Sequence, residues 1–207
     1  MDTLKELVRT GDAEGTSERV GQLLNDGQEA ESILKDALIP AMDDVGELFQ
    51  RGEYYLPEML IAARAMKRGL EVLKPRLVAT GVEPAGKVVV GTVKGDLHDI
   101  GKNLVAMALE GAGLEVIDLG VDVGPDRFIE SIREHEPVAI GISALLTTTM
   151  VAMGETIRAI EASGERGKVK IMIGGAPVTQ EFAAEIGADF YGDDPAAGKT
   201  YVKGLLA

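Results

Sequence analysis

The chain has 207 residues, of which 45% are hydrophobic and 27% charged, so it is long enough to form one large domain or two small ones. It contains no cysteine, which excludes disulfide bonds and thiolate metal sites. The net charge of −13 opposes binding to a polyanion, and we therefore expect no nucleic acid partner.

The N-terminus and the apolar runs bear on where the protein works. The opening sequence MDTLKELVRTGDAEG has neither the basic segment nor the apolar segment of a secretory signal. The longest apolar runs are far shorter than the roughly 20 residues that cross a bilayer. We therefore expect a cytoplasmic protein with no membrane partner.

Residues 1 to about 80 have the apolar spacing of helices. One stripe runs from Ile33 to Phe49 across Pro40, and Pro57 suits the first turn of a further helix, whose stripe begins at Met59. The pattern predicts a bundle of about four helices, which we take as a separate helical domain at residues 1–84. The segment ATGVEPAGK, residues 79–87, has the glycine and proline punctuation of a linker.

From residue 85 to residue 207, β-branched runs alternate with helical patterns. The predicted strands are Lys87–Val93, Glu115–Leu119, Val138–Ile142, Lys168–Ile173 and Asp189–Tyr191. The predicted helices are Asp99–Gly113, Pro125–His135, Thr148–Ser163, Gln180–Ile186 and Pro195–Leu206. Five strands that alternate with helices indicate an α/β fold with right-handed crossovers. We therefore predict a flavodoxin-like, Rossmann-type domain with a five-stranded parallel sheet.

Unusual segments follow three of these strands: GDLHDIGKN after the first, GISALLTTTM at the third and IGGAPVT at the fourth. Each has an ordinary explanation. His98 can bond a neighbouring backbone group, Thr147–Thr149 can cap a helix, and Gly174-Gly175 can form a tight turn. In a doubly wound sheet, however, ligands bind at the carboxyl ends of the strands. Their common location therefore predicts one crevice, where a glycine pair lets a flat ligand approach the backbone closely.

Asp96 and His98 are spaced as a carboxylate and imidazole pair. A metal-ligating imidazole usually donates its second N–H to such a carboxylate, which fixes the tautomer. One histidine without cysteine makes a poor cage for free zinc or iron. A metal that carries most of its own ligands needs only one from the protein. These residues therefore indicate a metal macrocycle, either haem or a corrinoid.

The same residues carry a resemblance to a known family. Asp96-Leu97-His98-Asp99-Ile100-Gly101, then Ser143-Ala144-Leu145, then Gly174-Gly175, resemble the DxHxxG, SxL and GG signature of cobalamin-binding domains, in order and spacing. The segment RGEYYLPEML resembles the helical cap of corrinoid methyl-carrier proteins, which serve methylamine, methanol and methoxyarene methyltransferase systems. The cobalamin module of methionine synthase is similar. The resemblance covers nearly the whole chain.

The resemblance implies cobalamin or a related corrinoid, bound base-off with His98 as the lower axial ligand of cobalt. Asp96 would accept the other N–H of His98, and Thr149 would extend this relay. Ser143 and Thr147 would contact the tail of the corrinoid. The other residues that the resemblance places at the cofactor in this domain are Leu97, Asp99, Ile100, Gly101, Leu145, Gly174, Gly175 and Tyr191.

The resemblance also gives the helical domain a role as an apolar lid over the upper face of the corrin. The candidate lid residues are Met42, Val45, Phe49, Tyr55, Leu56 and Met59. Most of this stripe must form the core of the bundle, so we expect only two or three of these side chains to touch the ring. A lid would protect reduced cobalt from water and move aside for the methyl donor.

The function that the resemblance implies is that of a methyl carrier. Co(I) would accept a methyl group from a methylamine, methanol, a betaine or a methoxyarene, presented by a substrate-specific methyltransferase. An acceptor methyltransferase would pass it to tetrahydrofolate or a thiol, and a reductive activase would be a third partner. The chain would then be a carrier subunit without catalytic activity of its own.

Three other functions remain open at this point: a small subunit of a corrinoid-dependent mutase, a cobalamin-binding sensor and a receiver-type signalling domain. The cap argues against the mutase subunit. Residues 1–85 hold 16 acidic and 10 basic residues, a poor DNA surface for a sensor. A receiver domain would need neither His98 nor the glycine pair.

Overall fold

The computed structural model describes residues 1–80 and 84–206, and its chain contacts divide into two compact units. Unit 1 comprises Met1–Pro84 with Glu110–Gly113, and unit 2 comprises Ala85–Leu109 with Leu114–Ala207. Of the predicted linker, residues 81–83 lie outside the described part of the chain.

Unit 1 is helical, as predicted. Its helices are α1 (Asp2–Arg9), α2 (Ala13–Asn25), α3 (Ala30–Ile33), α4 (Ile39–Gln50) and α5 (Leu56–Ala79). A π turn, Leu34–Leu38, joins α3 to α4 without a break. Pro40 lies two residues after the end of this turn, and a proline lacks an N–H and crowds the carbonyl four residues before it. The wider π turn therefore lets the helix continue across Pro40.

The core of unit 1 lies between amphipathic helices. Fully buried side chains include Leu4 and Val8 of α1, Val20 of α2, Leu38, Val45 and Leu73. On α5 the predicted stripe buries Met59 and Met66, but Leu60 is exposed. Leu60 is one residue, or about 100° of helix, away from Met59, which turns it off the buried face.

Unit 2 is a parallel sheet with helices between its strands. The strands are β1 (Lys87–Thr92), β2 (Glu115–Asp118), β3 (Ala139–Ser143), β4 (Lys170–Gly174) and β5 (Phe190–Gly192). The helices are α6 (Ile100–Gly111), α7 (Pro125–His135), α8 (Met150–Ala162), α9 (Gln180–Ile186) and α10 (Pro195–Leu205). The strand order β2-β1-β3-β4-β5 is that of a flavodoxin-like sheet, which confirms the predicted fold class.

The boundaries differ from the predicted ones by one or two residues at several ends. β1 stops at Thr92, and Val93 forms an isolated bridge with Val123. Helix α8 begins at Met150, two residues later than predicted. Among the described residues, no helix is both long and apolar enough to span a membrane.

The core of unit 2 fixes the position of the sheet edge. Buried side chains of the central strands and of α7 and α8 form one core cluster. Its members include Val89, Ile140, Ile142, Ile171 and Ile173 from the strands, and Phe128, Ile132, Met153, Ile157 and Ile160 from the helices. Because a parallel sheet is covered on both faces, the middle residues of its central strands β1, β3 and β4 are apolar or glycine. Thr92 and Ser143 end β1 and β3 at the carboxyl edge, and that edge carries the candidate site.

Candidate functional site

The three signature segments, residues 96–101, 143–145 and 174–175, meet at one edge of the sheet. Thr92, Ser143 and Gly174 end β1, β3 and β4, and the register pairs Thr92 with Ser143 and Ser143 with Gly174. Because the strands are parallel, the chain leaves all three at the same edge. The fold thus brings together residues that are up to about 80 positions apart in the sequence.

Asp96 is fully buried, and its carboxylate accepts hydrogen bonds from two loops and a helix start. Its Oδ1 accepts from the backbone N–H of His98 at 3.0 Å and lies 2.7 Å from Nδ1 of the same residue. Its Oδ2 accepts from the Thr149 hydroxyl and the Leu145 N–H, both at 2.7 Å, and from the Leu146 N–H at 3.4 Å. These donors replace the water that a buried carboxylate loses.

These contacts set the charge of Asp96. Burial alone raises the pKa of this carboxyl group, because the loss of water disfavours the charged form. Hydrogen bonds from Thr149, Leu145 and His98 favour the carboxylate and outweigh burial, so the pKa lies well below its ordinary value of 3.8. Asp96 is therefore an ionised acceptor at neutral pH.

An ionised Asp96 defines the tautomer of His98. A carboxylate without a proton can only accept, so Nδ1 of His98 carries the hydrogen of the 2.7 Å contact. In the neutral imidazole the lone pair then lies on Nε2, and the side chain is 51% exposed. A half-exposed imidazole held in this tautomer by a carboxylate is suited to bind a metal through Nε2.

The rest of the described chain offers no competing metal cage: within it, no three histidine or acidic residues cluster closely enough to hold an ion. A metal bound at His98 must therefore bring its other ligands with it. This geometry supports the macrocycle inferred from the sequence.

Thr149 is the N-cap residue of α8, yet its side chain makes no capping hydrogen bond. Its hydroxyl lies 2.7 Å from Oδ2 of Asp96 and 2.8 Å from the carbonyl oxygen of Leu146. A hydroxyl has one proton and donates to one of these oxygens at a time. Capping, the default expectation for this residue, is therefore wrong here, because the buried carboxylate takes its hydroxyl. Thr149, Asp96 and His98 form a continuous chain of hydrogen bonds.

Thr92 is a residue that the sequence analysis did not single out. It is fully buried, and its hydroxyl lies 2.9 Å from the carbonyl oxygen of His98 and 2.8 Å from Oγ of Ser143. A carbonyl can only accept, so Thr92 donates to His98 and Ser143 donates to Thr92. The signal in the sequence was a hydroxyl residue at the end of an otherwise apolar strand, KVVVGT. Thr92 joins Ser143 to the main chain of the histidine loop.

The glycine pair stands where side chains would not fit. A Cβ built on Gly175 overlaps the carbonyl oxygen of Ala144, and its φ of +135° disfavours any other residue. A Cβ on Gly174 would lie 3.0 Å from the carbonyl oxygen of Gly192. The pair therefore lets β4 lie close to the chain that leaves β3 and β5.

Exposed apolar side chains lie in the loops that follow β1 and β3 and in the first turns of α6 and α8. Leu97 is 72% and Ile100 67% exposed, and Leu145, Leu146 and Val151 are also exposed. Asp99 accepts a hydrogen bond from Asn103 at 3.0 Å, within the first turn of α6. A Cβ on Gly101 would meet only open space, so packing within the protein does not require glycine there.

The remaining predicted residues of unit 2 are less informative. Ser143 is half-buried and bonds Thr92, and Thr147 is exposed before α8. Tyr191 of β5 packs against the core of the sheet. Contact of Ser143, Thr147 and Tyr191 with a ligand remains a prediction.

The candidate lid residues all belong to unit 1. Met42, Val45 and Met59 are buried, Phe49 is half-buried, and Tyr55 and Leu56 are exposed. Packing of the helices accounts for the three buried side chains, as expected for most of this stripe. The lid itself remains a prediction.

The residues at the carboxyl edge fit a corrinoid. They provide one imidazole with a free Nε2, a carboxylate that holds it, exposed apolar side chains for the ring, and a glycine pair at a sheet edge. The single nitrogen ligand suits a metal that already has an equatorial macrocycle.

Comparison with known proteins gives two matches to B12 binding domain families, one over residues 86–199 and one over residues 1–74. Trimethylamine corrinoid protein 1 of Methanosarcina mazei is 40% identical over 204 residues, which cover 98% of this chain and 94% of that protein.

Two solved structures are similar over nearly the whole chain. A cobalamin-binding protein from Desulfitobacterium hafniense DCB-2 has a TM-score of 0.81 and 31% identity, and the match covers 100% of this chain and 98% of that one. The methanol:cobalamin methyltransferase complex MtaBC from Methanosarcina barkeri has a TM-score of 0.89 and 29% identity, and the match covers 98% of this chain and 78% of that one.

Proposed function

The chain belongs to the B12 binding domain family of corrinoid proteins, and on this premise we propose that it is a methyl carrier that binds its corrinoid base-off through His98. The observation that carries the proposal is the chain Thr149–Asp96–His98, which leaves Nε2 of a half-exposed imidazole free. When bound, the corrinoid supplies a cobalt centre that accepts a methyl group and gives it up again.

The residues around His98 orient the imidazole that would bind the cofactor. Asp96 keeps the hydrogen on Nδ1 and fixes the plane of the ring. Thr149 and the Leu145 N–H hold Asp96 in place by donating to it. The axial nitrogen therefore meets the metal without the ring first having to rotate, which lowers the entropy cost of binding.

The cofactor's tail and ring each have candidate contacts. We propose that the tail enters beside the glycine pair and meets Ser143 and Thr147, with Tyr191 at the far wall. The ring would lie on the exposed apolar side chains Leu97, Ile100 and Leu145, whose burial by an apolar ring edge is favourable. Two or three of the candidate lid residues of unit 1 would cover the opposite face.

A carrier needs partners. The relatives are named as trimethylamine corrinoid proteins, and one similar structure is a complex with a methyltransferase. We therefore propose that a substrate-specific methyltransferase loads this chain, with methylated amines as the first donors to test. An acceptor methyltransferase and a reductive activase would complete the cycle. Both units match B12 binding domains, and nearly the whole chain matches a trimethylamine corrinoid protein. These matches favour the carrier role over a mutase subunit or a sensor.

The test is a spectroscopic comparison of wild type with His98→Ala. Each protein is loaded with hydroxocobalamin, freed of excess and reduced to Co(II), with ¹⁵N-labelled histidine in the chain. In wild type the axial nitrogen should give a two-line splitting in the electron paramagnetic resonance spectrum, in place of the three lines of ¹⁴N.

The matched control is His135→Ala, which removes the only other histidine, a helix-end residue beside Glu134. This variant should retain the labelled splitting, whereas His98→Ala should lose it. Protein that stays colourless, or a splitting that ignores the histidine label, would refute the base-off ligation.

A further inference from the structure

Asp122 lies outside the three signature segments, in the loop GVDVG that follows β2. It is exposed, and its φ of +54° is in the left-handed region, where side chains other than glycine are uncommon. Asparagine and aspartate tolerate this region best, because their short polar groups bond nearby backbone. Asp122 hydrogen-bonds the main chain of the loop that carries Asp96 and His98.

That loop begins with a tight turn. The Asp96 N–H donates to the Val93 carbonyl at 3.1 Å, and Gly95 occupies the third position with φ of +84°. Such a turn leaves the N–H of Gly95 and the carbonyl of Asp96 without partners inside it. The structure pairs both of these groups with Asp122.

The two bonds from Asp122 lie on either side of the Gly95–Asp96 peptide. Its Oδ1 accepts from the Gly95 N–H at 2.7 Å, and its own N–H donates to the Asp96 carbonyl at 3.0 Å. The neighbouring Val123 N–H donates to the Thr92 carbonyl at 2.9 Å. The loop after β2 therefore holds the main chain from Thr92 to Asp96 by three hydrogen bonds, at Thr92, Gly95 and Asp96.

These hydrogen bonds affect the proposed axial ligand because the Asp96 carboxylate must keep one orientation to bond His98. Its carboxylate accepts from Thr149 and Leu145 while it holds Nδ1 of His98. Rotation of the Gly95–Asp96 peptide would break these bonds together. Left-handed backbone at a non-glycine residue costs free energy, and it persists here beside the functional loop, as strained residues often do.

We propose that Asp122 is a positioning residue for the corrinoid's axial ligand: it fixes the Gly95–Asp96 peptide and thereby holds His98 ready to bind cobalt. The proposal rests on the base-off ligation proposed above. Asp122 acts through hydrogen bonds to the main chain, so the oxygen atom matters more than the charge.

The test variant is Asp122→Gly, and its partner is Asp122→Asn. Glycine accepts the left-handed backbone without strain but removes the acceptor for the Gly95 N–H. Asparagine keeps an acceptor oxygen and also tolerates this backbone. The control Asp12→Ala removes a similar 2.8 Å bond, from the Gly15 N–H at the start of α2, in unit 1.

Two readouts are made on each protein. The first is the ratio of histidine-ligated to unligated cobalt in the labelled Co(II) spectrum. The second uses no cofactor: ¹⁵N nuclear magnetic resonance of the apoprotein follows hydrogen exchange at Nδ1 of His98. Thermal unfolding of each apoprotein reports separately on any loss of fold.

Asp122→Gly should lower the ligated-to-unligated ratio about tenfold and speed exchange at Nδ1 by a similar factor, the usual size of one lost hydrogen bond. Asp122→Asn should stay within about threefold of wild type, and Asp12→Ala should change neither readout. Wild-type values in Asp122→Gly, or equal losses in both Asp122 variants, would overturn the proposal. Failure of wild type to bind cobalamin would instead refute the proposed function, and the exchange measurement would still decide the role of Asp122.

Discussion

At the scale of single residues, the site is defined by which atoms can donate. Asp96 is an ionised acceptor, so Nδ1 of His98 and the hydroxyl of Thr149 are both donors. The carbonyl of His98 is an acceptor, so Thr92 donates to it and Ser143 donates to Thr92. Two chains of hydrogen bonds therefore converge on one histidine, one at its ring and one at its main chain.

The depressed pKa of Asp96 predicts how its contribution to stability depends on pH. The folded protein holds this proton less tightly than the unfolded chain, so the contribution is complete above the ordinary value of 3.8 and is lost as the pH falls through the folded-state pKa. Asp96→Asn should lower the unfolding free energy of the apoprotein by about 2 kcal/mol at pH 7 and by less in strong acid.

Urea unfolding of both proteins at neutral pH and at successively lower pH measures this difference. Asp36→Asn, at an exposed carboxylate of unit 1, serves as the control and should show little effect at either pH. A constant difference between wild type and Asp96→Asn across the range would contradict the assignment.

Thr92 gives a second prediction at this scale. Thr92→Val keeps the shape of the side chain but removes the hydroxyl, so the His98 carbonyl loses its donor. The unfolding free energy of the apoprotein should fall by about 1–2 kcal/mol, and cobalamin should bind more weakly. Thr92→Ser keeps the hydroxyl and should lie closer to wild type in denaturant unfolding. If serine proves as harmful as valine, the lost methyl group rather than the hydrogen bond is responsible.

At the scale of elements, the candidate site depends on how strands end. β1, β3 and β4 finish in one row, Thr92, Ser143 and Gly174, and the chain beyond each supplies a different part of the site. Close approach of these ends is possible because Gly174, the last residue of β4, and Gly175, which follows it, lack side chains. The edge of the sheet is thus a property of register and of the glycine pair together.

Gly175→Ala tests this arrangement. The new Cβ would overlap the Ala144 carbonyl, and the backbone lies at positive φ, so unit 2 should lose about 3 kcal/mol or more of stability. Gly167→Ala is the matched control, because a Cβ there meets open space in the turn Arg166–Lys168. Its effect should stay within about 0.5 kcal/mol. Equal unfolding curves for the two variants would show that the close contact is not maintained in solution.

At the scale of the whole molecule, the chain consists of a helical unit and a cofactor-binding unit, and both match one family. The family relation and the site geometry support a subunit that presents its cofactor to other proteins.

Cofactor loading should stabilise the folded chain by mass action. With hydroxocobalamin at about 100 times its Kd, the gain is about 2.7 kcal/mol, which should appear as a higher unfolding temperature. His98→Ala should show a smaller gain at the same concentration, because the metal bond is lost, and removal of the corrinoid should restore the apo value. Differential scanning calorimetry measures both; no shift in wild type would argue against specific binding.

The sequence alone was enough to predict the fold class and to single out Asp96 and His98 as candidate site residues. Periodicity of 3.6 and of 2 is local information, so helices and strands could be predicted to within a few residues. His98 and Asp96 could be selected because both stand in one short segment after a strand. The resemblance to cobalamin-binding domains rested on the same local motifs.

Which atoms meet follows from the packing of distant segments. Thr92 and Ser143 are 51 residues apart, and Asp96 and Thr149 are 53 apart, so their hydrogen bonds follow from strand register rather than from spacing. For the same reason Thr149 donates to a buried carboxylate instead of capping α8, and Asp122 holds the turn at Gly95. A local pattern can identify a side chain capable of bonding, but its partner is fixed only when distant segments pack together.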